Sequence, residues 1–370
     1  MTRFDTRLER LERALVAADA DGAVVATGSN ARYLTGFAGE RDRALLFVVT
    51  PDGERLAVSP EQYTGQVRRA IRADGVHLHS VPHNSARSVA RGVAERLPAS
   101  HGRYLIDEEL SAGELYHLER ALPDATVDLL GPVVTPMRAT KDESERRALR
   151  RAARLTDEVS RAVREEGADV VGTTERELAV EIRARLHERG AEGVAFPVVV
   201  ASGPNGALPT QYRHGDRTIE RGEPVVLDFG GFFDGYASDQ TRTVVFAGEP
   251  SASYVEAHDA VREALQTGID RVEPGTTGGE LDAAVREVIT EHGYGDQFTT
   301  GTGHGVGLRA HEPPSIAPGS DDVLEPGMVF SVEPGIYVAG EFGVRLETLV
   351  LLTERGPEVL NDSPYTWRPP

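Results

Sequence analysis

Apolar residues along this 370-residue chain recur at two spacings, and the switches between them mark out its elements. Leu8, Leu11, Leu15 and Ala18 stand three or four apart, which predicts an amphipathic N-terminal helix. The continuous runs GAVVA (22–26) and ALLFVV (44–49) predict short buried strands, with Pro51, Asp52 and Gly53 turning the chain toward another. Residues 1–135 therefore read as an α/β domain, which the two prolines of GPVVTPMR (131–138) are expected to end. KDESE (141–145) then opens a long helix, its acids in the first turn where the helix dipole favours them, with Ala148, Ala152, Leu155, Val159 and Val163 as the buried stripe.

The second domain, 136–370, carries a weak internal repeat of two helices followed by strands. The first copy has helices near 142–166 and 174–189, where Thr174 and Glu177 make a capping box, and strands near 195–202, 224–230 and 241–247. The second has helices near 253–271 and 277–291 and strands near 328–333 and 343–352. GEPVVLD (222–228) and EPGMVFSVE (325–333) resemble each other, each ending on an acid, so a pseudo-twofold site between the halves is expected.

Composition narrows the class. No segment approaches the roughly 18 apolar residues of a membrane span, and MTRFDTRLER (1–10) lacks the apolar core of a signal peptide, which points to the cytoplasm and to no membrane partner. The absence of cysteine excludes thiolate metal sites and disulfides. Fifty-nine acidic residues face 40 basic ones, of which Lys141 alone is lysine; a net charge of −19 repels phosphate backbones and argues against nucleic acid. An acid excess with scarce lysine is also the pattern of proteins kept soluble in multimolar salt. A GC-rich genome writing arginine for lysine is the other reading, but it does not require the acids.

The chemistry lies in five segments: VVLDFG (225–230), SDQTRT (238–243), GTGHGVG (301–307), VFSVEPG (329–335) and GVRLET (343–348). Asp228 and Glu333 end apolar strands, where a carboxylate is costly by several kcal/mol unless it is paired or metal-bound. Strand alternation turns Leu227 and Phe229 away from Asp228, and puts Arg345 on one face with Glu347 and Asp239 with Thr241. Any one acid could form a buried ion pair with arginine. Four of them with a glycine-flanked histidine instead suggest a hard, oxygen-rich site for two divalent ions such as manganese, cobalt, iron or zinc. GTGHGVG has no lysine of the phosphate-binding loops, so its glycines are expected to let the backbone pass close to His304.

Together these segments resemble the pita-bread metallopeptidases, the group of methionine aminopeptidase, prolidase, aminopeptidase P and creatinase. The likeness covers about residues 138–355, and SNARYLTGF (29–37) resembles part of the creatinase-type N-terminal domain. The fold it implies is α/β (α+β): a creatinase-like domain followed by a pseudo-twofold catalytic domain with a curved antiparallel sheet flanked by helices. It further implies that Asp228 binds one metal, that Asp239 and Glu347 bridge two, and that His304 and Glu333 complete the second. Glu333 would also shuttle a proton from the attacking water, and His311 would stabilise the tetrahedral intermediate. Arg345, two positions before the last glutamate, is the mark of the prolidase and aminopeptidase P branch and would contact the substrate, so an Xaa-Pro aminopeptidase or dipeptidase acting on small peptides as a homodimer is the implied activity.

One segment departs from that branch. A histidine usually follows a Leu-Pro pair about seventeen residues before the first metal aspartate and assists the leaving amine. Here LPTQYRHGDR (208–217) puts Thr210 after the proline and Gln211 at the counted spacing. Neither delivers a proton readily, which makes His214 the candidate replacement. A metal-dependent non-peptidase hydrolase or lyase on the same scaffold, or a binding protein without catalysis, are the alternative readings.

Overall fold

The computed structural model describes residues 2–39, 44–97, 101–209 and 213–370. It forms two compact units, residues 1–138 and 139–370. The first contains α1 (Arg3–Ala17), β1 (Gly22–Ala26), α2 (Ser29–Thr35), β2 (Leu46–Val49), β3 (Arg55–Pro60), α3 (Thr64–Ala70), β4 (His77–Val81), α4 (Ala86–Ala94), β5 (Arg103–Ile106), α5 (Ala112–Ala121), β6 (Thr126–Leu129) and α6 (Gly131–Ala139). Its six strands make one mixed sheet in the order β4-β3-β2-β1-β5-β6, with β1, β2 and β3 antiparallel and the outer pairings parallel.

Leu8, Leu11 and Leu15 are fully buried on α1, while Ala18 is the residue that caps the helix. GPVVTPMR is helical, where its prolines had suggested a chain break. Pro132 falls in the first turn, where an amide N–H has no helical acceptor, and Pro136 removes a single bond, so α6 tolerates both.

The second unit contains α7 (Glu143–Glu165), α8 (Glu175–Glu188), β7 (Gly193–Val194), β8 (Val199–Ser202), β9 (Val225–Asp228), β10 (Gly231–Phe233), β11 (Tyr236–Ala237), β12 (Thr241–Val244), α9 (Ala252–Asp270), α10 (Gly278–Glu291), β13 (Gly303–Gly305), β14 (Glu312–Ile316), β15 (Val329–Val332), β16 (Gly335–Val338), β17 (Phe342–Arg345), β18 (Thr348–Thr353) and β19 (Gly356–Val359). All its strand pairings are antiparallel, in sheets ordered β12-β9-β8, β11-β10-β7, β14-β13-β15-β18-β19 and β16-β17.

The repeat is visible in detail. Thr174 caps α8 and Thr277 caps α10, each through a capping box with the glutamate three residues on. Each of these threonines also bridges to the loop ahead of its site strand, Thr174 to Thr218 and Thr277 to Val323. Each half buries its own apolar cluster: Ala152, Val159, Ile182 and Leu227 lie in one, Ala257, Val261, Val285 and Phe330 in the other. On α7 the stripe runs through Leu149 where the spacing had pointed to Ala148; Ala152, Leu155, Val159 and Val163 are buried as expected. The single lysine is buried, its Nζ 3.0 Å from Glu312 Oε1 next to His311.

Candidate active site

β9 is the middle strand of its sheet and delivers Asp228 at its C-terminal end, in register with Val199 of β8 and Thr241 of β12. Leu227 and Phe229 alternate to the packed side, where both are buried. Asp239 precedes β12 and Glu347 stands between β17 and β18. One oxygen from each of Asp228, Asp239 and Glu347 lies within 4.8 Å of the other two.

His304 comes from the middle of β13 and Glu333 from the end of β15. His304 Nε2 is 3.2 Å from Glu333 Oε1 and 3.8 Å from Asp239 Oδ2. Ser331 fixes this corner: its hydroxyl donates to Glu333 Oε1 (3.0 Å) and accepts from the His304 amide (3.0 Å). Gly303 makes the approach possible, because a Cβ there would stand 2.1 Å from the Ser331 carbonyl oxygen. The His311 ring lies 4.0 Å from that of His304, centroid to centroid.

Arg345 is committed on every side. It pairs with Asp228 Oδ2, donates from Nε to Thr241 Oγ1 (3.0 Å) and reaches the Tyr337 hydroxyl (3.2 Å). Thr241 in turn donates to Glu347 Oε2 (2.7 Å). Thr241, Ser331 and Tyr337 hold the acids in place, and sequence reading assigned none of them that task. Their signal was present: Thr241 shares a strand face with Asp239, and Tyr337 lies in VEPGIY.

The electrostatics are those of acids forced together. Burial, followed by Glu347, Asp228 and Glu333, holds Asp239 well above the ordinary carboxylate range. Burial with Glu333 and Asp228 pushes Glu347 up to about 8. Burial alone would lower His304, but the bond to Glu333 and the surrounding carboxylates raise it to about 9. Burial would raise Glu333, and the hydrogen bond from His304 more than offsets this. His311 is held below the usual imidazole value by burial and by His304.

One buried atom in this cluster, Glu347 Oε1, has no hydrogen-bond partner. A buried carboxylate oxygen without a donor, on a carboxyl grouped with two others, is costly in protein alone and is the environment that a divalent cation satisfies. The donor set thus fits a metal centre.

Phe196, Pro209, Arg213, Thr300 and Gly301 join these residues around a cavity of about 370 Å³. His214 is not brought to it. The cavity wall among the described residues includes Arg213 but not His214, whose Nε2 is 2.6 Å from an Arg183 nitrogen. Burial, with Arg183 and Arg176, disfavours its charged form, and a neutral ring held by arginine is poorly placed as a proton donor. Thr210 and Gln211 lie outside the described residues.

Comparison with known proteins places this geometry. Residues 147–354 match the model of metallopeptidase family M24, and residues 7–140 that of the creatinase/prolidase N-terminal domain. An Xaa-Pro dipeptidase of Lactobacillus delbrueckii subsp. lactis is 32% identical over 354 residues, 94% of this chain and 95% of the relative. The solved structure of a recombinant prolidase from Thermococcus sibiricus superimposes with a TM-score of 0.91 at 34% identity, covering 100% of this chain and 99% of the other. Dipeptidase PepE from Mycobacterium ulcerans gives 0.90 at 32% identity, covering 99% and 97%.

Proposed function

The chain belongs to metallopeptidase family M24, and from that premise we propose that it hydrolyses Xaa-Pro bonds of small peptides with two divalent cations. Asp228, Asp239 and Glu347 would hold one ion, and His304 and Glu333, with the shared Asp239 and Glu347, the other. The observation that carries the reading is the unpartnered Glu347 Oε1 among converging carboxylates. The cations supply Lewis-acid polarisation of the scissile carbonyl and lower the pKa of the attacking water.

The protein's own residues do the rest. Glu333, hydrogen-bonded to His304 and Ser331, accepts the proton of the attacking water and passes it toward the leaving amine. His311 sits beside His304 and donates to the oxyanion that develops on the carbonyl. Arg345 keeps Asp228 oriented and, with Thr241, transmits that order to Glu347. Manganese, a cytoplasmic homodimer and work in concentrated salt complete the reading. They are supported in turn by the oxygen-rich donors, by the cysteine-free chain together with the family likeness, and by the acid excess.

The test is a panel of Xaa-Pro and Xaa-Ala dipeptides offered to manganese-loaded protein in high salt. The reading expects Xaa-Pro to be cleaved at least a hundredfold more efficiently. Equal turnover of both sets, or of neither, overturns it.

A further inference from the structure

Of 40 basic residues only Lys141 is lysine, and its side chain is 1% exposed. Its main chain is clamped just ahead of α7: the amide donates to the Gly327 carbonyl at 2.9 Å, and the carbonyl accepts from Arg146 Nε at 2.9 Å. From that fixed base Nζ reaches Glu312 Oε1 at 3.0 Å, on a side chain that is itself only 7% exposed. The same carboxylate rests on Gly307, where a Cβ would stand 2.1 Å from Oε1. So enclosed a slot favours a compact ammonium over the broad five-donor fork of arginine, which accounts for a lysine in a chain that otherwise uses arginine.

His311, the neighbour of Glu312, has little else to hold it. It is open to solvent, its ring makes no hydrogen bond with a described residue, and it packs on the His304 ring at 4.0 Å. The strand it leads into is loosely tied as well. Gly303 pairs with Ile316 and His304 with Ser315, but Gly305 pairs with Glu312, so Pro313 and Pro314 stand outside the ladder and bring no amide N–H to it. We propose that Lys141 is a positioning residue for the hydrolysis: by fixing Glu312 it holds the backbone that aims the His311 imidazole at the oxyanion. The inference rests on the Xaa-Pro reading and adds to it a residue that does not line the cavity. An oxyanion donor works only at hydrogen-bond distance, and a misplacement of about 1 Å costs on the order of 10²-fold in rate. Removing the ammonium leaves the Glu312 carboxylate buried without its counter-charge, which drives it toward water and takes His311 with it.

Manganese-loaded wild type, Lys141→Met, His311→Ala and the Lys141→Met/His311→Ala double variant are compared on Met-Pro, below the thermal midpoint of each and at equal metal content. Lys141→Met is expected to lower kcat tenfold or more with KM within about twofold. Added to His311→Ala it should change kcat by less than twofold, because the residue it positions is gone. Full activity in Lys141→Met, or a loss that multiplies with that of His311→Ala, overturns the proposal. In parallel, metal-free protein carrying isotope-labelled histidine is followed by NMR, the His311 ring signal being assigned by its loss in His311→Ala. Lys141→Met should move that signal toward the position of a freely exposed imidazole and leave the signal of buried His258 in place. Glu312→Gln, which removes the charge of the other partner, should give the same kcat loss and the same displacement, and it carries the test if Lys141→Met does not fold. If no peptide is cleaved, the proposed function fails by itself and the spectrum still decides this one: a displaced His311 signal supports the assignment, and an unmoved one refutes it.

Discussion

Glu333 concentrates two tasks in one side chain, since the oxygen that meets His304 and Ser331 belongs to a carboxyl proposed both to hold a metal and to carry a proton. Glutamine keeps the shape and loses the basicity. Glu333→Gln is therefore expected to lower kcat on an Xaa-Pro dipeptide by roughly 10²- to 10⁴-fold while the protein stays folded. Steady-state kinetics beside circular dichroism checks this, and full activity in the variant would remove both roles. At this scale the sequence was most legible where a residue broke its local pattern. Asp228 and Glu333 stand out because acids at the ends of VVLD and VFSVE are costly without a partner. Arg213 broke no pattern, being a charged residue in a polar loop, and only its place on the cavity wall distinguishes it. His214 is the imidazole nearest the Leu-Pro pair in sequence, but the turn of the chain directs its neighbour Arg213 to the cavity and His214 to Arg183.

Elements set how closely the ligands approach. β13 and β15 meet where Gly303 faces Ser331, and a methyl group at 303 would lie 2.1 Å from that carbonyl oxygen. Gly303→Ala is expected to push His304 away from Glu333 and cost at least tenfold in activity, with weaker retention of metal on dialysis. Unchanged activity and retention would show that the strand yields without moving His304. A second consequence arises on α9, where His258 is buried and neither ring nitrogen has a well-formed hydrogen bond; the nearby Tyr365 main chain favours its charged form only weakly. Burial lowers its pKa from 6.5 to about 4. The unfolded chain then binds the proton first, so this contribution to stability is complete above pH 6.5 and is lost as the pH falls through 4. The unfolding free energy of metal-free wild type relative to His258→Phe should shift by about 3 kcal/mol between pH 7 and 4, at about 1.4 kcal/mol per unit. A difference that is constant with pH would contradict the assignment.

Long helices with caps were readable because period and capping chemistry agree, as at Thr174 with Glu177. Short strands were not: β10, β11, β14, β16 and β19 run for two to five residues, too few for a period to register.

For the whole molecule, the repeat explains why ligands far apart in sequence converge. Each half ends a strand on an acid, and the two halves enclose the cavity with Asp228 and Asp239 from one and His304, Glu333 and Glu347 from the other. Most of the acid excess also belongs to residues 139–370, and self-repulsion at a net charge of −19 opposes the compact state until salt screens it. The thermal midpoint of the metal-free protein should rise as potassium chloride increases from tenths molar to multimolar; a midpoint independent of salt would leave arginine codon bias as the account of the composition.

The most direct measurement is Xaa-Pro hydrolysis followed while metal-free protein is titrated with manganese, in equivalents per chain. Activity that needs metal and levels off at two equivalents is the result this account predicts. Hydrolysis that needs no metal, that saturates at one equivalent, or that fails to appear with two ions bound would contradict it.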